Sequence, residues 1–236
     1  MNRRGPDWLN SIPRPIRCGH RGAAGLAPAN TLASYAEAIR LGCDLVEVDV
    51  QPTADGVLVL LHDNDIVIDS QRRPVAALTL PELRQAAPNV PTLAEALALL
   101  GDRAIPLLDL KGVGFEAQLA AAVEQAGVLR AIVCGRPLSS LLATHDGYAA
   151  IATSLTFDTR ELEGLHAAAI AELPTEAVTL NHRRLTAGLV DLLHAQGVSV
   201  LAWTVDETPR MQELAQIGVD GITTNRPDLL AAAFPR

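Results

Sequence analysis

The chain has 236 residues, of which 49% are hydrophobic and 19% charged, so it is long enough to bury a sizeable core. Its net charge of −8 and the lack of any run of lysines or arginines argue against nucleic acid or an anionic membrane surface as a partner. A small anionic substrate is compatible with this charge, because a metal ion, one arginine and one lysine can neutralise it locally. The sequence leaves the oligomeric state open.

The three cysteines, Cys18, Cys43 and Cys134, are odd in number and match no zinc-ligand spacing. Their apolar neighbours predict buried free thiols in a reducing compartment. The first residues lead into no apolar run, and we find no stretch of about 18 apolar residues that could span a bilayer. We therefore expect no export signal, no transmembrane segment and a cytoplasmic location.

The first hundred residues begin an alternation of strands and helices. Residues 1–15 contain three prolines and little periodicity, and we expect them to form a surface lead-in. The elements predicted after it are a strand at 16–19, a helix between Thr31 and Gly42, a strand at 45–50, a strand at 57–61 and a helix at 93–100. Asp55-Gly56 predicts a tight turn, which makes the strand at 57–61 a small hairpin insertion after the second strand. Residues 63–90 are expected to be irregular apart from a short helix that begins near Thr79.

The rest of the chain continues this strand–helix rhythm. The predicted strands are 105–110, 131–134, 149–155, 177–180, 198–205 and 221–224. The predicted helices are 115–126, 138–144, 162–171, 186–195, 209–217 and 227–234. With the hairpin strand set aside, about eight β/α units predict a (β/α)8 barrel, a single domain over residues 16–236. The alternative is a doubly wound open sheet, which usually has fewer strands and a glycine-rich first turn that this chain lacks.

Three carboxylate residues, Glu47, Asp49 and Asp109, lie on two of the predicted strands. Glu47 and Asp49 are two residues apart, so they share one face near the C-terminal end of the second strand, where barrel active sites lie. A divalent cation would relieve the cost of burying both. Asp109 and Lys111 have the same parity on a neighbouring strand. Three carboxylates suit Mg²⁺ or Ca²⁺ better than Zn²⁺; the alternative is a set of structural salt bridges at the barrel mouth.

Two histidines flank this carboxylate group. His20 and His62 each follow a predicted strand, which favours a general acid and a general base over two structural residues. Arg21 and Lys111 are placed at the same mouth, either to bind phosphate oxygens or to neutralise the carboxylates. Trp203, near the end of the seventh strand, is either a core residue or a wall for the carbon part of a substrate.

The remaining polar candidates carry less information. Asp63 would either orient His62 or cap the turn that follows. His145, His166 and His194 are expected at the surface. His182, just past a predicted strand, remains a candidate for the site.

In their order and spacing these motifs resemble the glycerophosphodiester phosphodiesterase family over about residues 16–232. The resemblance rests on His20-Arg21-Gly22, Pro28-x-Asn30-Thr31, Glu47-x-Asp49, His62-Asp63, Val90-Pro91-Thr92-Leu93-x-Glu95, Asp109-x-Lys111, Trp203-Thr204-Val205 and Gly218-Val219-Asp220-Gly221-Ile222. It implies a TIM barrel that hydrolyses glycerophosphodiesters to sn-glycerol 3-phosphate and an alcohol. By position, it further implies the following roles: an acid/base pair of His20 and His62, a site for Mg²⁺ or Ca²⁺ at Glu47, Asp49 and Asp109, and phosphate binding by Arg21 and Lys111.

The chain departs from the family pattern at four places. Ala29 stands where glutamate is usual, which removes a carboxylate near the site; Asp109 stands where glutamate is common, and Asn225 where aspartate is frequent. The segment after His62 is shorter and lacks the usual Arg-Thr-Thr stretch. Two alternatives stay open: a lysophospholipase D-type phosphodiesterase, which an exposed apolar rim would favour, and a non-catalytic phosphate-binding barrel, suggested by Ala29.

Overall fold

The computed structural model describes residues 5–136, 138–148, 151–157 and 175–236, and its strands form a closed parallel barrel with helices between them. The strands are β1 Ile16–Gly19, β2 Leu45–Pro52, β3 Leu58–Leu60, β4 Asp65–Ile68, β5 Gln71–Pro74, β6 Ile105–Leu110, β7 Ala131–Gly135, β8 Ile151–Phe157, β9 Ala177–Asn181, β10 Ser199–Trp203 and β11 Gly221–Thr224. The α-helices are α1 Asp7–Ser11, α2 Leu32–Arg40, α3 Leu80–Ala86, α4 Leu93–Leu100, α5 Glu116–Gln125, α6 Leu138–Gly147, α7 Ala187–Ala195, α8 Thr208–Gln216 and α9 Pro227–Ala233. The predicted helix at 162–171, with His166, lies outside the described residues.

Strand β1 closes the barrel. It pairs in parallel with β2 on one side and with β11 on the other, so that Cys18 lies opposite both Leu45 and Thr223. From β2 the order continues through β6, β7, β8, β9 and β10 to β11. The predicted (β/α)8 barrel is confirmed, and the open-sheet alternative is wrong because a closed ring has no edge strands.

Side-chain parity along the strands separates the apolar core from the site. Val46 and Val48 of β2 face the helices, within the larger apolar cluster of the protein. Leu45 faces the barrel interior, in a second apolar cluster that also contains Leu107 and Leu201. Because alternate residues share a face, the carboxylates at positions 47 and 49 also point inward. The barrel interior therefore changes from apolar at its N-terminal end to acidic at its C-terminal end.

The segment before β1 closes the apolar end of the barrel. Leu9 of α1 is only 1% exposed, and together with Ile12 it packs into the interior cluster. This differs from a lead-in that lies wholly on the surface. A helix of five residues next to prolines shows too few turns for its apolar spacing to be recognised. The three cysteines are buried free thiols, as predicted.

Two hairpins follow β2. Strand β3 pairs antiparallel with the end of β2, which confirms the predicted hairpin insertion. The expectation that 63–90 is mostly irregular is wrong, because β4 and β5 form a second hairpin there. Asp69 and Ser70 connect them with φ values of 49° and 64°, the geometry of a tight two-residue turn. Asp-Ser is a weaker turn signal than Asn-Gly, and the two strands are short. Among the described helices, none is both long and apolar enough to cross a bilayer.

Candidate active site

A cavity of about 500 Å³ opens at the C-terminal ends of the barrel strands. All eight residues singled out in the sequence line it: His20, Arg21, Glu47, Asp49, His62, Asp109, Lys111 and Trp203. They come from five different strands or from the segments directly after them. The closed barrel brings them together because the C-terminal ends of parallel strands converge on one rim.

Three carboxylates form the centre of the charged half of the cavity. The register of β2 and β6 places Asp49 opposite Asp109, and Glu47 lies two residues before Asp49 on the same face. One oxygen from each of the three residues lies within 4.8 Å of the others. Glu47 is 6% exposed and Asp49 1%. Oxygen donors grouped in this way fit a hard divalent cation such as Mg²⁺ or Ca²⁺.

The electrostatics of the three carboxylates supports this fit. Burial raises the pKa of Glu47 well above its usual range, and the charges of Asp49 and Asp109 raise it further. Burial also raises the pKa of Asp109. Burial opposes ionisation of Asp49 as well, but the neighbouring Lys111, Asn30 and Arg21 outweigh it and lower the Asp49 pKa. Burial and mutual repulsion thus oppose ionisation of Glu47 and Asp109, and a divalent cation would relieve this cost.

Lys111 is the only lysine in the chain, and it contacts two of the three carboxylates. Its Nζ lies 2.7 Å from Asp49 Oδ1 and also donates to Asp109 Oδ2. Burial would lower the Lys111 pKa, but these two carboxylates raise it, so the ammonium stays charged. Every other cationic position of the chain is an arginine or a histidine. A lysine ammonium is a compact point charge, and here it lies between two carboxylates.

Arg21 contacts the carboxylates through its backbone and its side chain. Its backbone N–H donates to Glu47 Oε2 at 2.7 Å, and its Nε lies 3.1 Å from Asp49 Oδ2. Both Arg21 and Lys111 therefore neutralise carboxylates in this structure. Both also line the cavity, so their positive charges face any anion that enters it.

The turn that carries Arg21 is tightly packed against α2. Arg21 has φ 49° and Gly22 has φ 84°. A Cβ on Gly22 would lie 2.4 Å from Ser34 Oγ, which donates to the Arg21 carbonyl at 2.8 Å. Only glycine fits this close approach at a positive φ. The packing of α2 therefore determines where the N–H of Arg21 points.

Asn30 is a site residue that the sequence analysis did not single out for the site. Its Nδ2 donates to Asp49 Oδ2 at 2.7 Å, and its Oδ1 accepts from Tyr35 Oη at 3.1 Å. It has φ 54° and is buried. Thr31, the next residue, provides the helix cap through its hydroxyl. Thr31 thus caps the helix, while the preceding Asn30 holds Asp49, a carboxylate of the cluster.

The two histidines have different surroundings. His20 Nδ1 lies 2.7 Å from Asn225 Oδ1, and its Nε2 lies 4.0 Å from Glu47 Oε2. Burial lowers the pKa of His20, although the Asn225 contact partly opposes this. His62 is 45% exposed, and its Nδ1 lies 2.8 Å from Asp63 Oδ1, so Asp63 does orient this ring. One histidine therefore has a neutral amide partner and the other a carboxylate.

The part of the cavity lining that β8, β9, β10 and β11 contribute is neutral, and Arg136, directly after β7, lines the cavity beside it. The neutral part is formed by Thr156 of β8, Thr179 of β9, Trp203 of β10 and Thr223 of β11. The Nε1 of Trp203 and the hydroxyls of Thr156 and Thr223 are buried and make no hydrogen bond within the described residues. Trp203 is thus a cavity wall rather than part of the closed core, and its part of the cavity offers hydrogen-bonding groups.

Other candidates lie away from the cavity. His182 begins a 3₁₀ turn and contacts Arg210 instead. His194 is not a simple surface residue, because its Nε2 lies 2.8 Å from buried Asp220; His145 pairs with Glu176 at 3.3 Å. Ala29 is exposed and is absent from the described cavity lining, so its departure from the family pattern leaves the charged half intact.

Comparisons with known proteins match this architecture. Residues 20–229 match the model of the glycerophosphoryl diester phosphodiesterase family. A glycerophosphodiester phosphodiesterase of Caldanaerobacter subterraneus is 30% identical over 232 residues, covering 89% of this chain and 94% of the relative. One from Bacillus subtilis is 27% identical over 256 residues, covering 94% and 87% of the two chains.

Solved structures share the fold. A structure from Silicibacter pomeroyi has a TM-score of 0.85 and 26% identity, covering 98% of this chain and 94% of the other. A phosphodiesterase of Oleispira antarctica, solved with the product sn-glycerol-3-phosphate, has a TM-score of 0.82 and 23% identity, covering 94% and 97%. The family match covers most of the chain and includes every charged residue that lines the cavity centre. This chain belongs to the glycerophosphoryl diester phosphodiesterase family, and it is a hydrolase of phosphoric diesters.

Proposed function

We propose that this enzyme hydrolyses glycerophosphodiesters to sn-glycerol 3-phosphate and an alcohol, with a divalent cation at Glu47, Asp49 and Asp109 and with His20 and His62 as the acid/base pair. The observation that carries the proposal is the position of both histidines on the cavity that holds the three carboxylates. The relative solved with sn-glycerol-3-phosphate supports a glycerol phosphate as the product. Mg²⁺ and Ca²⁺ are the cations that this donor set favours.

The phosphodiester lies over the charged half of the cavity in this proposal. Arg21 and Lys111 contribute positive charge and bind phosphate oxygens, while remaining close to Asp49. A divalent cation, when bound by the carboxylates, would polarise the phosphoryl group and offset the charge that develops in the transition state. Asn30 keeps Asp49 in place through its amide.

The two histidines divide the proton transfers. One accepts the proton of the attacking group, either a water or the neighbouring glycerol hydroxyl, and the other donates a proton to the leaving alcohol oxygen. His62 lies beside the carboxylate of Asp63, which can accept the Nδ1 hydrogen of the ring at 2.8 Å. Burial favours the neutral form of His20, which suits an acceptor, although the contact with Asn225 partly opposes this lowering of the pKa. The burial of His20 supports His20 as the base, which leaves His62 as the acid.

The neutral part of the cavity receives the alcohol. Trp203 forms a flat apolar wall, and its Nε1 with the hydroxyls of Thr156 and Thr223 can bond to hydroxyl groups of a small substrate. Burying these donors without partners would cost free energy. A substrate that bears hydroxyls on both sides of the phosphate therefore suits the cavity.

The test is product identity. Metal-stripped enzyme is incubated with glycerophosphocholine or glycerophosphoglycerol, with Mg²⁺, Ca²⁺ or EDTA, and the products are resolved by ³¹P NMR. We expect sn-glycerol 3-phosphate as the phosphorus product only when a cation is present. Phosphocholine as the product would place the cleavage on the wrong bond, and equal rates in EDTA would remove the cation from the proposal.

An exposed apolar rim favours a second candidate, hydrolysis of lysophospholipids. Leu26 and Val113 are 43% and 63% exposed, and they lie in the segments that follow β1 and β6, at the end where the cavity opens. Such a rim could contact an acyl chain. Release of choline from lysophosphatidylcholine, weakened by Val113→Ser but not by Leu129→Ser, would support it. Leu129 is an exposed leucine before β7, at the other end of the barrel.

A further inference from the structure

His20 is connected to an acidic residue outside the cavity by a chain of two hydrogen bonds. His20 Nδ1 lies 2.7 Å from Asn225 Oδ1, and Asn225 Nδ2 donates to Asp206 Oδ2 at 2.7 Å. The three residues follow β1, β11 and β10, which are consecutive around the barrel. Asp206 is absent from the described lining of the cavity. The two hydrogen bonds therefore connect the proposed base, which lines the cavity, to a carboxylate outside the cavity lining.

Asp206 is held in one position although it is exposed. Its Oδ1 accepts from the backbone N–H of Asn225 at 2.8 Å and from Thr224 Oγ1 at 3.0 Å. Its Oδ2 accepts from Asn225 Nδ2. An ionised carboxylate offers only acceptors, so it selects the NH₂ end of the asparagine amide. The alternative orientation of the amide would place its oxygen against the carboxylate.

This arrangement determines the proton on His20. With the NH₂ group bound to Asp206, the oxygen of Asn225 faces the imidazole, and an amide oxygen can only accept. Nδ1 of His20 must therefore carry the hydrogen. In the neutral ring this leaves the lone pair on Nε2, the nitrogen 4.0 Å from Glu47 Oε2 at the cavity. The neutral ring can then take a proton only at the cavity side.

We infer that Asn225 and Asp206 are positioning residues that hold His20 in its Nδ1-protonated tautomer, with the Nε2 lone pair directed into the cavity. The tautomer itself follows from the hydrogen bonds, whereas its effect on turnover rests on the proposed function. In that reaction the proton of the attacking hydroxyl moves to Nε2 while Nδ1 keeps its hydrogen on Asn225. The resulting imidazolium is then one amide away from the negative charge of Asp206.

The inference also accounts for one departure from the family pattern. Asparagine stands at position 225, where aspartate is frequent in the resembling family, and a neutral amide alone provides no charge to stabilise an imidazolium. In this chain the adjacent carboxylate of Asp206 provides that charge and orients the amide. The two positions thus act as one unit. Exchanging their side chains should preserve an acceptor for His20 and a hydrogen bond between the pair.

The direct test is the tautomer. Long-range ¹⁵N–¹H NMR of ¹⁵N-histidine-labelled enzyme at pH 8 distinguishes the two neutral tautomers, and a His20→Gln sample identifies the His20 signals. We expect the Nδ1–H pattern for His20 in the metal-free and in the Ca²⁺-loaded enzyme. An Nε2–H pattern for His20 in the unmodified enzyme would overturn the inference.

Variants then test the role of the two residues. Asn225→Ala and Asp206→Ala should shift His20 toward the Nε2–H tautomer and lower kcat by roughly 10²-fold, with KM changed little. The exchanged enzyme, with Asp206→Asn and Asn225→Asp together, should recover the Nδ1–H pattern and most of kcat. Glu207→Gln is the control, because Glu207 is the adjacent acidic residue and its side chain makes no capping hydrogen bond.

The failure of this inference differs from the failure of the proposed function. Suppose that the enzyme cleaves no glycerophosphodiester but His20 loses its Nδ1–H tautomer in Asn225→Ala. This result would support the positioning role and contradict the proposed reaction. Full activity in a folded Asn225→Ala enzyme would contradict the positioning role and would leave the proposed reaction unaffected.

Discussion

Asn30 and Asp49 are 19 residues apart in the sequence and are joined by a hydrogen bond of 2.7 Å inside the acidic cluster. The Asn30→Ala variant should therefore bind a divalent cation more weakly, by about 10- to 100-fold, since residues that orient metal ligands have effects of this size. Calorimetric titration of the metal-free protein with Ca²⁺ measures it. Asn89→Ala, at an exposed loop position, is the control and should bind as the unmodified protein does. Equal affinity in the Asn30 variant would show that Asp49 needs no support.

Removing the charge of Lys111 should destabilise the metal-free protein. In Lys111→Met, Asp49 and Asp109 lose their shared partner while remaining largely buried, and breaking such a pair costs about 3–5 kcal/mol. Added Ca²⁺ should return part of this loss, because the cation replaces the missing positive charge. Urea denaturation with and without Ca²⁺ measures both effects. Lys111→Arg keeps the charge and should lose less stability, but its larger planar group should still impair turnover.

Glycine at position 22 should be required for folding of the site. Gly22→Ala places a Cβ against Ser34 at a φ of 84°, so we expect a loss of about 2 kcal/mol or more in the free energy of unfolding. Gly188→Ala is the matched control, since a Cβ there meets no atom within 4 Å and position 188 is in helix α7. Alanine should stabilise that helix by up to about 1 kcal/mol. Similar unfolding curves for both variants would contradict the packing argument.

The stabilisation gained from a cation should increase with pH. Burial raises the pKa of Glu47 and of Asp109 in the folded protein. Between the unfolded and folded pKa values the folded state binds more protons, so the stability from these two groups falls as the pH rises through that window. A cation binds the ionised carboxylates and reverses this loss. The rise in Tm on adding Ca²⁺ should therefore be larger at pH 8 than at pH 5.

A Glu47→Gln variant checks the origin of that pH dependence. It removes a carboxylate whose pKa is raised well above its usual range, first by burial and then by its acidic neighbours, so the difference between the two pH values should shrink. A Ca²⁺-induced rise in Tm that is the same at pH 5 and pH 8 in the unmodified protein would mean that the carboxylates are ionised without the cation.

The two histidines should have separate effects on turnover. His20→Ala and His62→Ala should each lower kcat by about 10²- to 10⁴-fold, the range for loss of a general acid or base. His182→Ala, which lies off the cavity, should keep normal kcat. Circular dichroism verifies that the variants fold. A folded His20 or His62 variant with near-normal kcat would remove that residue from the acid/base pair.

The barrel and the charged residues could be predicted because they depend on local patterns. Parity along a strand placed Glu47 and Asp49 on one face, and glycines and capping residues marked the helix ends. The β4–β5 hairpin was missed because its turn is Asp69-Ser70, which lacks a strong sequence signal. Leu9 was missed for a similar reason, since its burial depends on the barrel opening that it fills.

Contacts between side chains that are far apart in the sequence could not be predicted from the sequence pattern. The contact of Asn30 with Asp49 depends on how a turn packs on α2, and the link from His20 through Asn225 spans 205 residues. Neither has a periodicity or a spacing of its own. The composition shows that the chain has a single lysine, but only the structure shows that Lys111 contacts two carboxylates of the site.

The measurement that tests the central claim most directly is turnover of glycerophosphocholine by metal-stripped enzyme as Mg²⁺ or Ca²⁺ is added, for the unmodified protein and for Asp109→Asn. Asp109 is the least buried of the three carboxylates, so this substitution disturbs the fold least. The account predicts no sn-glycerol 3-phosphate without a cation, saturable activation by the cation, and a higher cation concentration for half-activation in Asp109→Asn. Undiminished turnover in EDTA, or identical activation curves for the two proteins, would contradict it.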